Sequence, residues 1–176
     1  ISPCENGKLA TTSDELEESS SKAVRVQSRE DVMAVSIQVT FDCADPDRLA
    51  RFWAEVLGYK LQDPPTGYES WEAFLAAQGI PEDQWNHLSA VVDPDGVGPR
   101  ILFQRVPEPK TVKNRVHLDV NIGGGHGTPP AERRTRVDAA AERLVRLGAT
   151  KLRTFDQHGE YWIVMQDPEG NEFCLQ

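Results

Sequence analysis

No apolar run in this chain is long enough to cross a bilayer, which removes membrane-spanning functions first. Cysteine is scarce. Cys4, Cys43 and Cys174 are odd in number, scattered, and free of any C-x-x-C pairing. That argues against a disulfide framework and a structural zinc knuckle, and fits a reducing, cytoplasmic setting. Positive charge is also in short supply, 19 Lys and Arg against 28 Asp and Glu, for a net charge of −9. Nucleic-acid binding selects the opposite balance. The first 32 residues lack hydrophobic periodicity, and Thr11 to Ser21 is polar and acidic. Such a stretch buries too little to order itself, so 1–32 is expected to be a disordered tail. It has no basic start followed by an apolar core, so it does not read as a signal peptide. Met33, just before the first strand-like run, would make a natural start.

What is present is a sentence written twice. Val91-Val92-Asp93-Pro94-Asp95-Gly96, then Ile101 to Gln104, parallels Val164 to Gly170, then Phe173 to Gln176. A helix ending at Leu-Gly precedes each copy, at Leu57-Gly58 and Leu147-Gly148, and a strand-like run precedes each helix. A repeated unit has an apolar face it cannot bury alone, so two units must pack together, often leaving a cleft between them.

Along the first unit, Val35, Ile37, Val39 and Phe41 alternate with Ser36, Gln38, Thr40 and Asp42, the period of a two-faced strand. Asp45 reads as an N-cap with Pro46 at the first helical position. Leu49, Phe52, Trp53, Val56 and Leu57 form the helix stripe, and Gly58 ends it. Tyr59 to Gln62 reads as a short strand. An excursion over 63–86 has no counterpart in the second unit; its Tyr68, Trp71, Phe74 and Trp85 read either as a satellite core or as a lid over a pocket. His87 to Asp93 and Arg100 to Val106 then form a hairpin.

In the second unit Val116, Leu118, Val120 and Ile122 alternate with Arg115, His117, Asp119 and Asn121 from Lys113 onward. The glycine-rich loop 123–127 lacks the Lys-Ser/Thr ending of a phosphate loop and reads as a connector. A helix with Val137, Ala140, Ala141, Leu144 and Val145 as its stripe runs to Leu147. Strands near 149–155, 160–166 and 171–175 follow. Both units share the order β-α-β-β-β.

Phe41 to Pro46, Phe52 to Tyr59, Lys113 to Val120 and Asp167-Pro168-Glu169-Gly170-Asn171-Glu172-Phe173 together resemble the vicinal oxygen chelate superfamily, which includes glyoxalase I, bleomycin-resistance proteins and extradiol dioxygenases, and within it glyoxalase-like domains. The resemblance spans 33–176. It implies an α+β fold of two tandem βαβββ modules, 33–110 and 111–176, whose curved mixed sheets enclose a shared cavity. Metal-using members hold a divalent ion by the first and fourth strands of each module. The matching first-strand positions are Gln38 and His117, which the resemblance makes candidate metal ligands for zinc, nickel, manganese or iron. The matching fourth-strand positions are Leu102, which has no donor, and Cys174, so the set reads as incomplete.

Two readings of the polar residues stay open. His117 and Asp119 can form a general acid–base pair, or lie on a strand face as satisfied polar groups. Gln38, Thr40, Arg115, Asn121, Trp162 and Cys174 are candidate substrate-binding residues. Pseudo-symmetry pairs Gln38 with His117, Thr40 with Asp119 and Asp42 with Asn121. Lys113-Asn114-Arg115 reads as a solvated patch or an anion clamp. The expected partner is a small organic ligand, with nucleic acid and membrane excluded and a homodimer allowed by the resemblance. A binding domain without a complete metal site leads; a metal-dependent lyase, isomerase or dioxygenase using His117 and Gln38 is the alternative.

Overall fold

Val39, Phe41 and Cys43 point to the core and Thr40 and Asp42 to the other side, which makes strand β1 (Val39–Cys43) two-faced as its alternation predicts. The computed structural model describes residues 36–125 and 127–176, so the expected tail over 1–32 lies outside the described residues. Helix α1 (Pro46–Leu57) starts where Asp45 accepts a hydrogen bond from the Arg48 amide at 3.3 Å. It stops at Gly58, whose φ of 69° is the left-handed cap that a side chain would resist. Strand β2 (Lys60–Leu61) follows. The excursion folds as α2 (Trp71–Ala77), capped by Ser70, and a 3-10 helix (Glu82–His87). The hairpin is β3 (Leu88–Val92) and β4 (Ile101–Arg105).

The second module repeats the order: β5 (Leu118–Val120), α3 (Pro130–Arg146), β6 (Thr150–Gln157), β7 (Glu160–Gln166) and β8 (Glu172–Leu175). Each module builds one four-stranded mixed sheet, in the orders β1-β4-β3-β2 and β5-β8-β7-β6. In each, the first strand runs parallel to the last and all other pairs are antiparallel. The expected pseudo-symmetry is visible in the ladders: Thr40 faces Leu102, and Asp119 faces Cys174.

Two expectations need correction. The strand foreseen from Lys113 shrinks to three residues, because β8 offers β5 only Phe173, Cys174 and Leu175 as partners. Arg115 therefore lies in the segment before the strand, not on a strand face with His117 and Asp119. In α3, Val137, Ala140, Ala141 and Leu144 are buried as expected, whereas Val145 is half exposed.

One apolar core serves both modules. Phe103, Phe41, Trp53 and Phe173 form a chain of rings with centroids 5.5, 5.0 and 5.1 Å apart, and its last link crosses from module one to module two. Polar ties reinforce that link. The buried Asp167 accepts the Trp53 indole N–H at 3.2 Å. Glu169 accepts the amides of Ala44 and Asp45 at 2.7 and 2.8 Å, and Arg143 donates to the Glu55 carbonyl at 3.0 Å.

The repeated Asp-Pro-x-Gly turn serves different ends in its two copies. Asp93 accepts the amides of Asp95, Val97 and Gly98 in the open, and these bonds hold its carboxyl below the ordinary value. Asp167 makes the same kind of bonds to Glu169 and Asn171, but burial outweighs them and pushes its carboxyl up. No described helix is long and apolar enough to cross a membrane.

Candidate functional site

Alternation in the strands sorts the candidate residues onto the sheet faces turned away from the core. On sheet two, strand pairing sets Asp119, Cys174, Val164 and Arg153 in one row across all four strands. His117, two residues before Asp119, brings its Nε2 within 3.3 Å of Asp119 Oδ1. Trp162 lies on this face and stacks on Phe155, with centroids 4.8 Å apart and planes 11° from parallel. Its neighbour Tyr161 points the other way and donates to Asp138 at 2.6 Å. The two aromatics thus take opposite faces, as their adjacency on a strand requires.

Strands β1 and β5, each at the edge of its sheet among the described residues, bound a cleft of about 670 Å³. Val39, Phe41, Val106 and Leu118 give it an apolar wall. Thr40, Asp42, Asn114, His117 and Glu172 supply polar groups, and the connector over 108–112 closes one side. This volume is within the range typical of small-molecule sites. The excursion contributes no side chain to the cleft. Its rings pack on one another, Tyr68 on Phe74 at 5.1 Å and Trp71 on Phe74 at 5.8 Å, which favours a satellite cluster over a lid.

The structure brings together some expected site residues and separates others. Thr40 and His117 both line the cleft, while His117, Asp119 and Cys174 cluster on sheet two. Gln38 lies before β1 with its carbonyl oxygen accepting Arg100 Nη1 at 2.6 Å; the same guanidinium donates to Gln62 at 2.8 Å. Asn121 accepts a hydrogen bond from Gln176 at 3.0 Å. Lys113 is ion-paired with Glu172, and Asn114 accepts the Glu172 amide at 3.3 Å. These two residues therefore fasten the connector to β8, and the anion-clamp reading of the cluster loses two of its three members. Sequence reasoning missed Glu108, Lys110 and Glu169 at the cleft, since nothing marks a connector or a turn acid as cleft-lining before the modules are packed.

Both described thiols are poor nucleophiles at neutral pH. Burial, with Asp119's charge and hydrogen bond adding to it, pushes the Cys174 thiol up to about 11. Burial and the surrounding acids push Cys43 up to about 12. Each stays protonated at neutral pH.

Two mixed sheets in βαβββ order, with a cleft between their first strands, define a member of the vicinal oxygen chelate superfamily. The chain belongs to the glyoxalase-like domain family, whose family model matches residues 38–176. Comparison with curated proteins finds no match. Among solved structures, the fosfomycin resistance protein FosX from Mesorhizobium loti is similar in fold, at 14% identity over 82% of this chain and 91% of that one, with a TM-score of 0.51. A possible glyoxalase from Bacillus cereus gives 14% identity over 82% and 98%, with a TM-score of 0.51. At these identities the likeness concerns the fold alone.

The superfamily's four-position ligand set does not fit these residues. Leu102, which faces Thr40 in the ladder, carries no donor atom. Gln38 would have to leave Arg100 before its carbonyl could ligate. Those two positions are module one's whole share of the set, so no step is derived through an ion held between the modules.

Proposed function

We propose that this glyoxalase-like domain binds a small organic molecule in the cleft between β1 and β5. The observation that carries the reading is the cleft itself: about 670 Å³, with an apolar wall and hydrogen-bonding groups concentrated at Thr40, Asp42, Asn114 and His117. Such a site favours a ligand with an apolar body and a polar end. The free state of the two described cysteines, Cys43 and Cys174, accords with a reducing, cytoplasmic location.

A thermal-shift screen of a small-molecule library against the chain and a Thr40→Trp variant tests this. Ligands that raise the melting point of the parent and lose that effect in the variant support the cleft. Ligands unaffected by the filled cleft, or no ligand at all, count against it.

A second reading, catalysis at the same cleft, draws on the 3.3 Å contact between His117 and Asp119 at its margin. There His117 exchanges a proton with the bound molecule while Asp119 orients the ring. His117→Ala then abolishes turnover of any substrate found and leaves its binding measurable; retained turnover sinks this reading.

A further inference from the structure

We infer that the molecule held between β1 and β5 is an organic cation, a protonated amine carried on an apolar body. The inference rests on the cleft reading and names the class of ligand that site takes.

Charge around the cleft is lopsided. Asp42 and Glu108 of module one and Glu169 and Glu172 of module two line it, against Lys110 as the one Lys or Arg among the described lining residues. Two of the acids are engaged. Glu172 is ion-paired with Lys113, and Glu169 accepts the amides of Ala44 and Asp45. Lys110 answers neither of the other two, because its Nζ donates to the Val112 carbonyl within the connector. Among the described residues Asp42 and Glu108 have no ion-pair partner, and both are exposed. They come from different elements, Asp42 from β1 and Glu108 from the connector, and share the cleft with the apolar wall of Val39, Phe41, Val106 and Leu118. The Cys43 thiol on that wall registers the same field. After burial, the charges of Glu169, Asp45, Asp42 and Asp167 are what hold it up.

This arrangement selects among ligand charges. An anion meets like charge from both modules, which costs affinity. A protonated amine instead offers Asp42 and Glu108 charge-assisted hydrogen bonds, roughly twice as strong as neutral ones. The net charge of −9 also draws cations toward the chain at long range. A bare metal ion suits the acids less well. It needs several oxygen donors converging on one point, whereas these four form no converging group of three among the described residues. The apolar wall likewise favours a charge attached to an organic body, which gains by burial there.

The test uses matched amines, alcohols and carboxylates on the same phenethyl, naphthylmethyl and cyclohexylmethyl bodies, titrated calorimetrically into the full chain. The amines are expected to bind at least about tenfold more tightly than the alcohols, and the carboxylates most weakly. Raising the ionic strength compresses that preference. Asp42→Asn with Glu108→Gln brings amine affinity down to that of the alcohols. Asp95→Asn with Glu69→Gln removes the same charge outside the cleft and leaves the preference in place. Circular dichroism establishes that each variant is folded. Amines no tighter than alcohols, a preference that survives the loss of Asp42 and Glu108, or no binding by any amine overturns the inference. The cleft reading is decided separately by Thr40→Trp. Alcohols or carboxylates that bind the parent more tightly than amines, and lose binding in that variant, uphold the cleft and sink the cation.

Discussion

Asp167→Asn is the substitution that most directly examines how the two modules hold together. In the parent chain Oδ1 accepts the amides of Glu169 and Asn171, both at 2.9 Å. Oδ2 accepts the Trp53 indole at 3.2 Å and the Asn171 side-chain amide at 3.0 Å. Asparagine has one oxygen, so either orientation turns an NH₂ group toward two donors. A buried donor left without its acceptor costs about 1–3 kcal/mol. Relief from burying a charge offsets part of this, leaving a net loss of about 2–4 kcal/mol. At about 2–4 °C per kcal/mol for a chain of this size, the melting point falls by roughly 5–15 °C. The pH dependence supplies an independent check. Burial raises the folded carboxyl above its ordinary 3.8, so the folded chain holds this proton more tightly than the unfolded one. The associated stability is complete below 3.8 and is lost as pH rises through the folded value. The Asn variant cannot titrate and lacks that component of the profile. Scanning calorimetry of both chains across the acid range measures both effects. A variant that melts within about 2 °C of the parent would refute the reasoning.

Trp53→Ala opens a cavity in the shared core and costs about 3–5 kcal/mol; because Trp53 touches Phe41 and Phe173 alike, calorimetry shows one lowered transition, and two separate ones would contradict a common core. Glu169→Ala removes the acceptor of two amides at the start of α1 and lowers stability by about 1–3 kcal/mol in urea titration, with no change in the shape of the transition. Trp71→Ala leaves the affinity of any cleft ligand unchanged by calorimetric titration, since the excursion lines none of the cleft; a weakened ligand would restore the lid.

The elements and their order were legible because the local signals agree. Asp45 and Pro46 open α1 and Gly58 closes it, and β1 and β8 alternate at period two. The equivalence of Thr40 with Asp119 and of Leu102 with Cys174 was legible too, since it follows from aligning the repeat, and the ladders place the equivalent residues in equivalent registers. The extent of β5 was not, because alternation persists from Lys113 while pairing requires a partner, and β8 ends the ladder after three residues. The role of Glu169 was equally hidden. It occupies a turn position where an acid is ordinary, and only the packing of module two on module one brings it to the amides of Ala44 and Asp45. At the site, the family resemblance pointed to Gln38, but the guanidinium that occupies it comes from Arg100, 62 residues away.

The place of Phe173 in the ring chain carries a consequence for how the protein is made. Trp53 and Phe52 on α1 both lie against Phe173, and β8 is an inner strand between β5 and β7. On the ribosome, module one emerges with Trp53 already able to pack on Phe41 but without the Phe173 ring that completes the cover of both side chains, and that ring arrives only with β8. Neither module can reach its final packing before β8 has been made. The shared core is therefore completed by late closure of β8 rather than by sequential maturation of the modules.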